Sequence, residues 1–211
     1  MSSVMPCGWL ISLSGLQNTY NPPRICSVSL YNLLTDAQDI TRLNFHQGTS
    51  YRYASWQPIL NKGIPPTTKP PYYGQIMVAT ALGQSENMRI SNIPLSGDTE
   101  SAYALFDGED LSKLVILNLQ TFNETSDAAS RLSRKYHFKI PEGYESARVE
   151  RLTAPGSDSE KGVTFGGVSY DYDLKMGQPV VVDSEKETSE INNGVLGITL
   201  PDSSGVLVTF D

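Results

Sequence analysis

Apolar positions recur with two different periods along this chain. In SVSLYNLLTDAQD, Leu30, Leu33, Leu34 and Ala37 fall at helical spacing, with Ser27 or Ser29 placed to cap the first turn, so a helix is predicted over about 28–38. ITRLNF follows directly and reads as a strand whose end carries the alternating pair Leu43 and Phe45. An irregular stretch with Pro58, Pro65, Pro66, Thr67, Thr68 and Pro70 separates it from PYYGQIMVATALG. That segment predicts a second helix, opened by Pro71 in its first turn and closed by Gly83. Helix, strand, long polar loop, helix is the cadence of an α/β barrel, and the chain holds one unit of it.

Beyond Asn87 the period becomes that of short strands. KYHFKI sets Tyr136, Phe138 and Ile140 against Lys135, His137 and Lys139, which predicts one dry face and one wet face with His137 at the surface. VLGITL alternates Leu196, Ile198 and Leu200 with Val195, Gly197 and Thr199. Asp107-Gly108 and Asn193-Gly194 sit between strand-like runs and favour the positive φ angles of tight hairpin turns. Strands are expected near 88–95, 101–106, 112–121, 134–140, 146–153 and 168–174, over 179–190 in one or two pieces, and as a closing hairpin over 195–210. That spacing predicts a mainly β chain, with an antiparallel β-sandwich as its principal unit.

Charge divides the chain at nearly the same place. Residues 1–95 carry six Lys/Arg and three Asp/Glu, a balance of +3, whereas residues 96–211 carry ten and twenty, a balance of −10, which together make the net −7. The shift marks a domain boundary. The acidic half repels phosphate backbones, and no basic cluster suggests a membrane patch, so no nucleic-acid partner is expected. At 39% hydrophobic and 18% charged residues the composition is that of an ordinary folded protein. The opening MSSVMPCGWLISLSGL is too short to span a bilayer and has no basic segment ahead of its apolar run, so it makes no convincing signal peptide. Cys7 and Cys26 have no CxxC spacing and no neighbouring histidine, which argues against zinc and leaves a disulfide between them open. No metal and no cofactor are expected.

The run ITRLNFHQGTSYRYASWQPI, then PPTTKPPYYGQIMVATALG, then SAYALFDGEDLSKLVILNLQTFN, RKYHFKIPEG, RVERLTAPGSDSEKGVTFGGVSYDY and LPDSSGVLVTF, resembles the C-terminal part of fungal glycoside hydrolase family 79 proteins, the β-glucuronidase-like enzymes. In that family a (β/α)8 barrel precedes a C-terminal β-sandwich. The resemblance implies that FHQG ends the last barrel strand and PPYYGQIMVATALG is the last barrel helix. The expected organisation is an unmatched segment over 1–26, a helix-strand-helix remnant of the barrel over 27–86, and an accessory β-sandwich over 87–211. It also implies an extracellular protein. The sequon Asn123-Glu124-Thr125 is compatible with secretion and makes Asn123 a glycosylation candidate.

Retaining glycosidases need two carboxylates about 5–5.5 Å apart. By resemblance the family carries both catalytic glutamates on barrel strands upstream of FHQG. Here the first acidic residue is Asp36 and the first glutamate is Glu86, so no catalytic residue is assigned and the chain is expected to be inactive alone, as a truncated product would be. Other acids substitute poorly. Asp171 and Asp173 would project to one face of a strand, the spacing of a carboxylate pair or a calcium ligand set, but read better as solvated side chains. Asp183, Glu185, Glu187 and Glu190 read as a wet face, and Asp107, Glu109 and Asp110 as a hairpin tip.

The C-terminal end of a barrel strand is where substrates bind, which makes His46, Gln47, Gly48, Tyr51, Tyr53 and Trp56 the substrate-binding candidates. The tyrosine hydroxyls or the Gly48 amide could meet a uronate carboxylate, with Tyr51 and Tyr53 both eligible. Against this, His46 could satisfy a buried backbone group, Trp56 could pack between barrel and sandwich, and Arg52 could be solvated. The partners expected are glucuronide-containing glycans, bound weakly, and the chain itself, through a barrel-remnant surface bearing Leu30, Leu33, Leu34, Leu43 and Phe45. An independent carbohydrate-binding or adhesive β-sandwich is the alternative function.

Overall fold

The computed structural model describes Gln47 and residues 54–210. The predicted helix at 28–38, the ITRLNF strand, both cysteines and the five apolar residues of the remnant surface lie outside the described residues.

The chain enters through a two-residue ladder, β1 (Trp56–Gln57) with β2 (Thr67–Thr68), and then forms helix α1 (Pro70–Leu82). Pro70 and Pro71 occupy its first turn, where an amide donor is not needed, and Gly83 at φ 63° ends it by donating to Ala79 O at 3.0 Å. One face buries Tyr73, Gly74, Met77, Val78 and Ala81, an i, i+4, i+8 stripe, while Ala79 and Thr80 face outward.

Eight longer strands follow, interspersed with shorter pieces: β3 (Met88–Ile93), β4 (Glu100–Asp107), β5 (Asp110–Asn118), β6 (Ser133–Lys139), β7 (Ser146–Thr153), β8 (Thr164–Phe165), β9 (Val168–Ser169), the helical turn α2 (Tyr172–Lys175), β10 (Val180–Val181), β11 (Glu187–Asn192), β12 (Val195–Pro201) and β13 (Ser204–Phe210). The main sheet runs β10-β9-β8-β7-β13-β5-β4-β3, all antiparallel. A smaller sheet, β6-β12-β11, lies across one face of it, and β11 joins the two by pairing with β7 over Glu187–Glu190 and with β12 over Ile191–Asn192. The mainly β, antiparallel sandwich is borne out.

Alternation along the strands builds two cores. Tyr103, Leu105, Val115, Leu117, Leu152 and Leu207 meet α1 on one face of the main sheet. Ala104, Ile116, Val149, Val206 and Val208 meet Tyr136, Phe138, Leu196, Ile198 and Leu200 of the small sheet on the other. Strand β13, covered on both faces, is buried at every residue from Ser204 to Phe210. A bulge opposite Leu105 and Phe106 inserts Ser112 into β5. It turns Leu111 to the same core as Leu114, while Lys113, in step with Val115 and Leu117, lies on the helix side, where Nζ donates to Thr80 O at 2.7 Å and Ala81 O at 2.9 Å.

Three sequence expectations change. The strand over 168–174 is only Val168–Ser169, after which Asp171 caps α2 by accepting from the Asp173 N–H, so Asp171 and Asp173 do not share a strand face. Asp173 instead pairs with Lys161. The strand over 112–121 stops at Asn118, whose side-chain nitrogen donates to Leu200 O at 3.3 Å and Asp202 Oδ1 at 3.1 Å. The closing hairpin over 195–210 is a tight turn whose arms do not pair. β12 bonds to β6 and β11, and β13 bonds to β5 and β7, so the chain crosses from one sheet to the other at Asp202-Ser203. Arg131 clamps this crossing, donating to Asp202 O at 2.9 and 2.6 Å and to Ala154 O at 3.0 Å while its guanidinium lies 5.1 Å from the Phe122 ring. Glu187, read as part of a wet face, holds Arg151 through two contacts of 2.5 and 2.6 Å.

Glu100 ties the loop before β4 to β6. Its side chain is only 4% exposed, with Arg134 Nη1 2.8 Å from Oε2 and the Gly97 N–H donating to Oε1 at 2.8 Å. The Arg134 contact is an ion pair rather than an aligned hydrogen bond. Burial alone raises the Glu100 pKa, but Arg134, the Tyr136 hydroxyl and the Gly97 amide together carry it below the ordinary carboxylate value. A depressed folded pKa stabilises the fold above the unfolded value of about 4.3, and that contribution is lost as pH falls through the folded pKa. Glu100→Gln is therefore expected to melt below the native chain at pH 7, with the gap closing as the pH is lowered past about 4. A gap of constant size from neutral to acid pH would show that the carboxylate's charge contributes nothing.

Candidate functional site

Of the sequence-derived candidates, Gln47 and Trp56 are described; His46, Gly48, Tyr51 and Tyr53 lie outside the described residues, as does Arg52. Gln47 uses both ends of its carboxamide on the chain itself. Its oxygen accepts the Ser55 N–H at 2.9 Å and its nitrogen donates to Trp56 O at 2.8 Å. Ser55 Oγ in turn donates to Gln75 Oε1 of α1 at 2.9 Å, and Ser55 O accepts from the Lys69 N–H at 2.9 Å. Gln47 is thus a positioning residue for the backbone that carries Trp56.

Trp56 pairs with Thr68 in the β1–β2 ladder and is 44% exposed. Its ring meets Tyr72 edge-on at 5.9 Å, and Tyr72 meets Tyr170 at 5.5 Å. Buried Tyr73 locks this cluster to the sheet. Its hydroxyl lies 3.2 Å from Ser169 Oγ and accepts the Tyr170 N–H at 2.8 Å, and burial raises its pKa. Between the β1–β2 ladder and α2 opens a cleft of about 340 Å³, with Trp56, Tyr72 and Thr68 on one side and Tyr172 and Met176 on the other. Gly177 sits in this wall at φ 80°, a backbone conformation that favours glycine; an added Cβ would stand in ordinary contact with the Thr68 hydroxyl, at 3.4 Å.

Flat apolar rings with hydroxyls at their rims suit the faces and edges of a sugar, and among the described residues no acidic side chain lines the cleft. The arrangement can stack and hydrogen-bond; its described residues supply no acid–base pair. Among the described residues no cluster of His, Cys, Asp and Glu has metal-binding geometry, and no helix is long and apolar enough to cross a membrane. The tyrosines at 72, 170 and 172 were absent from the sequence-derived set. Their signal was the doublet Tyr72-Tyr73 at the opening of α1 and the alternating Tyr170 and Tyr172, which cannot show that the two segments meet.

Residues 102–207 match the glycosyl hydrolase family 79 C-terminal beta domain. The architecture is that of the β-domain of a glycoside hydrolase, and the chain belongs to family 79. It is 38% identical over 192 residues to a beta-glucuronidase of Aspergillus niger, covering 85% of this chain and 36% of that protein. It is 33% identical over 217 residues to a beta-glucuronidase of Neurospora crassa, covering 87% of this chain and 38% of that protein. The chain thus spans little more than a third of the length of these relatives. Among solved structures, a 4-O-alpha-L-rhamnosyl-beta-D-glucuronidase from Fusarium oxysporum superposes with a TM-score of 0.61 at 21% identity, over 74% of this chain and 32% of that one. A family 51 arabinofuranosidase from Xanthomonas axonopodis pv. citri gives 0.54 at 14% identity, over 89% and 35%. Identities this low speak to the fold.

Proposed function

We propose that residues 87–211 form an accessory β-domain that serves the catalytic barrel of a secreted β-glucuronidase-like glycoside hydrolase, and that this chain alone turns over no glucuronide. Residues 27–86 belong, in this reading, to the barrel's last βα unit. The observation that carries the proposal is the chemistry of the cleft: rings and hydroxyls without a carboxylate among the described residues, in a chain matched to the family's β-domain. The two acids that flank its lining residue Tyr172 are engaged elsewhere, Asp171 in capping α2 and Asp173 with Lys161. The chain's first glutamate, Glu86, follows α1, whereas the family's resemblance puts the catalytic pair ahead of the FHQG strand. The purified chain should show no hydrolysis of an aryl β-glucuronide above buffer; a rate abolished by a single Asp or Glu substitution would overturn the proposal.

A second reading rests on the exposed Trp56 and its neighbours: the cleft binds glucuronide glycans by itself, as a sugar-binding module. An open, two-walled cleft favours weak binding, because a millimolar dissociation constant already requires about 4 kcal/mol. Glucuronic acid titrated against tryptophan fluorescence should saturate in the millimolar range or above, with Trp56→Ala removing the response. Saturation at micromolar sugar, lost in that variant, would favour the independent module over the accessory domain.

A further inference from the structure

Between β5 and β6 the chain crosses the surface, and residues 123–130 are all exposed. The start of this run is held from both sides. Phe122, buried, donates its N–H to Ser203 Oγ at 2.9 Å, and Glu124 donates its N–H to Asp158 Oδ1 at 2.8 Å while accepting from Ser159 Oγ at 2.9 Å. Asn123, between these anchors, faces outward. Its carboxamide oxygen accepts from the Oγ of Ser157, itself only 6% exposed, at 2.9 Å, and its carbonyl accepts the Ser126 N–H at 2.9 Å. The carboxamide nitrogen has no hydrogen-bond acceptor among the described residues. The Ser157 contact uses Oδ1 and leaves Nδ2 without a bond to break, on a residue that is itself exposed. Thr125 stands exposed at the second position after it, completing Asn-Glu-Thr with no proline at the centre.

We propose that Asn123 carries an N-linked glycan. The donor is an oligosaccharide linked to a polyisoprenyl diphosphate. Nδ2 attacks the anomeric carbon, the N–C bond forms as the bond from that carbon to the diphosphate oxygen breaks, and one Nδ2 proton is lost to solvent or base. The carboxamide keeps its second N–H and its carbonyl oxygen, so the Ser157 hydrogen bond survives the modification. Nothing has to be displaced from the core either, since Asn123 is exposed and both flanking residues stay pinned. The glycan would stand on an ordered loop rather than on a frayed one.

The proposal does not depend on the glycosidase reading, and the test supplies its own route through the secretory pathway. The full chain is fused behind a cleavable secretory leader, expressed in yeast and recovered from the medium. The expected result is a mobility shift that collapses on treatment with a peptide-N-glycosidase, with residue 123 recovered as aspartate in the released peptide. Thr125→Ala should abolish the shift while melting with the native chain produced in bacteria without glycosylation, because it leaves Asn123 and its Ser157 contact in place. Secreted native chain with unmodified Asn123, or modification that persists in Thr125→Ala, would overturn the proposal. The glycopeptide from the native chain decides the matter even if the variant is poorly secreted.

Discussion

Leu207→Ala is expected to lower the unfolding free energy by about 3–5 kcal/mol, the upper range for removing a buried leucine. Leu207 is fully buried in β13, opposite Val115 of β5 and Glu150 of β7, and its side chain lies in the core beneath α1. Hydrogen bonding on both edges holds the strand in place, so the walls of the new cavity cannot close by a backbone shift. For a domain whose net stability is about 5–15 kcal/mol, the loss removes a large fraction of the total. Consequences should reach the cleft as well, because Tyr73 packs in the same core and holds Ser169 and Tyr170. Urea unfolding, with Leu132→Ala at a site 70% exposed as the control, measures the difference. A loss below about 1 kcal/mol would mean that this core collapses around the vacancy, contrary to the rigidity the pairing implies.

Gly167→Ala should be nearly as damaging, for a different reason. Gly166 and Gly167, at φ 55° and 75°, make the turn between Phe165 and Val168, and both the Val182 and Asp183 N–H groups donate to Gly167 O, at 2.9 and 3.1 Å. A Cβ on Gly167 would lie 2.1 Å from Asp183 O, a backbone atom that cannot rotate out of the way. The left-handed conformation alone costs about 1–2 kcal/mol for an alanine, and the collision adds to it. The expected loss is about 3 kcal/mol or more, with β10 displaced and amide exchange accelerated at Val182 and Asp183. Gly108→Ala is the comparison, since Gly108 has φ 65° but nothing within 4 Å of an added Cβ. Equal losses at the two glycines would show that strain, and not the approach of Asp183, accounts for the effect.

The strongest local signals were legible because they are properties of a few adjacent residues. The helix between Pro71 and Gly83 appeared as Pro70–Leu82, and the wet and dry faces of KYHFKI appeared as exposed Lys135, His137 and Lys139 against buried Tyr136, Phe138 and Ile140. Asn193 and Gly194, with φ of 54° and 70°, make the hairpin between Asn192 and Val195. At Asp107-Gly108 only the glycine takes positive φ, in the turn closed by Asp107 and Asp110. Gly166-Gly167 carried an equally local signal, hidden by flanking strands too short to alternate. The expected strand through Asp171 and Asp173 failed because Asp171 offers its carboxylate to a nearby amide, a competing local bond that period alone does not weigh.

Period, turn chemistry and caps are encoded within a few residues, and from them the sequence by itself determined that this is a mainly β chain with one long helix among the described residues. Partner choice was decided only in the tertiary structure. Leu196, Ile198 and Leu200 would alternate equally well beside β13 as across from it; they lie across because burying them against Val206 and Val208 covers both apolar faces at once. The crossing at Asp202 then becomes possible because Asn118 and Arg131, remote in sequence, satisfy the polar groups exposed at the corner. Leu111 joins Leu114 in the core under the small sheet only because one extra residue in β5 shifts its alternation. The cleft has the same origin. Trp56 and Met176 stand far apart in the chain, and what brings them to one opening is a helix seated on a sheet and a tyrosine bonded across to Ser169, contacts whose free energy exists only when the whole core forms.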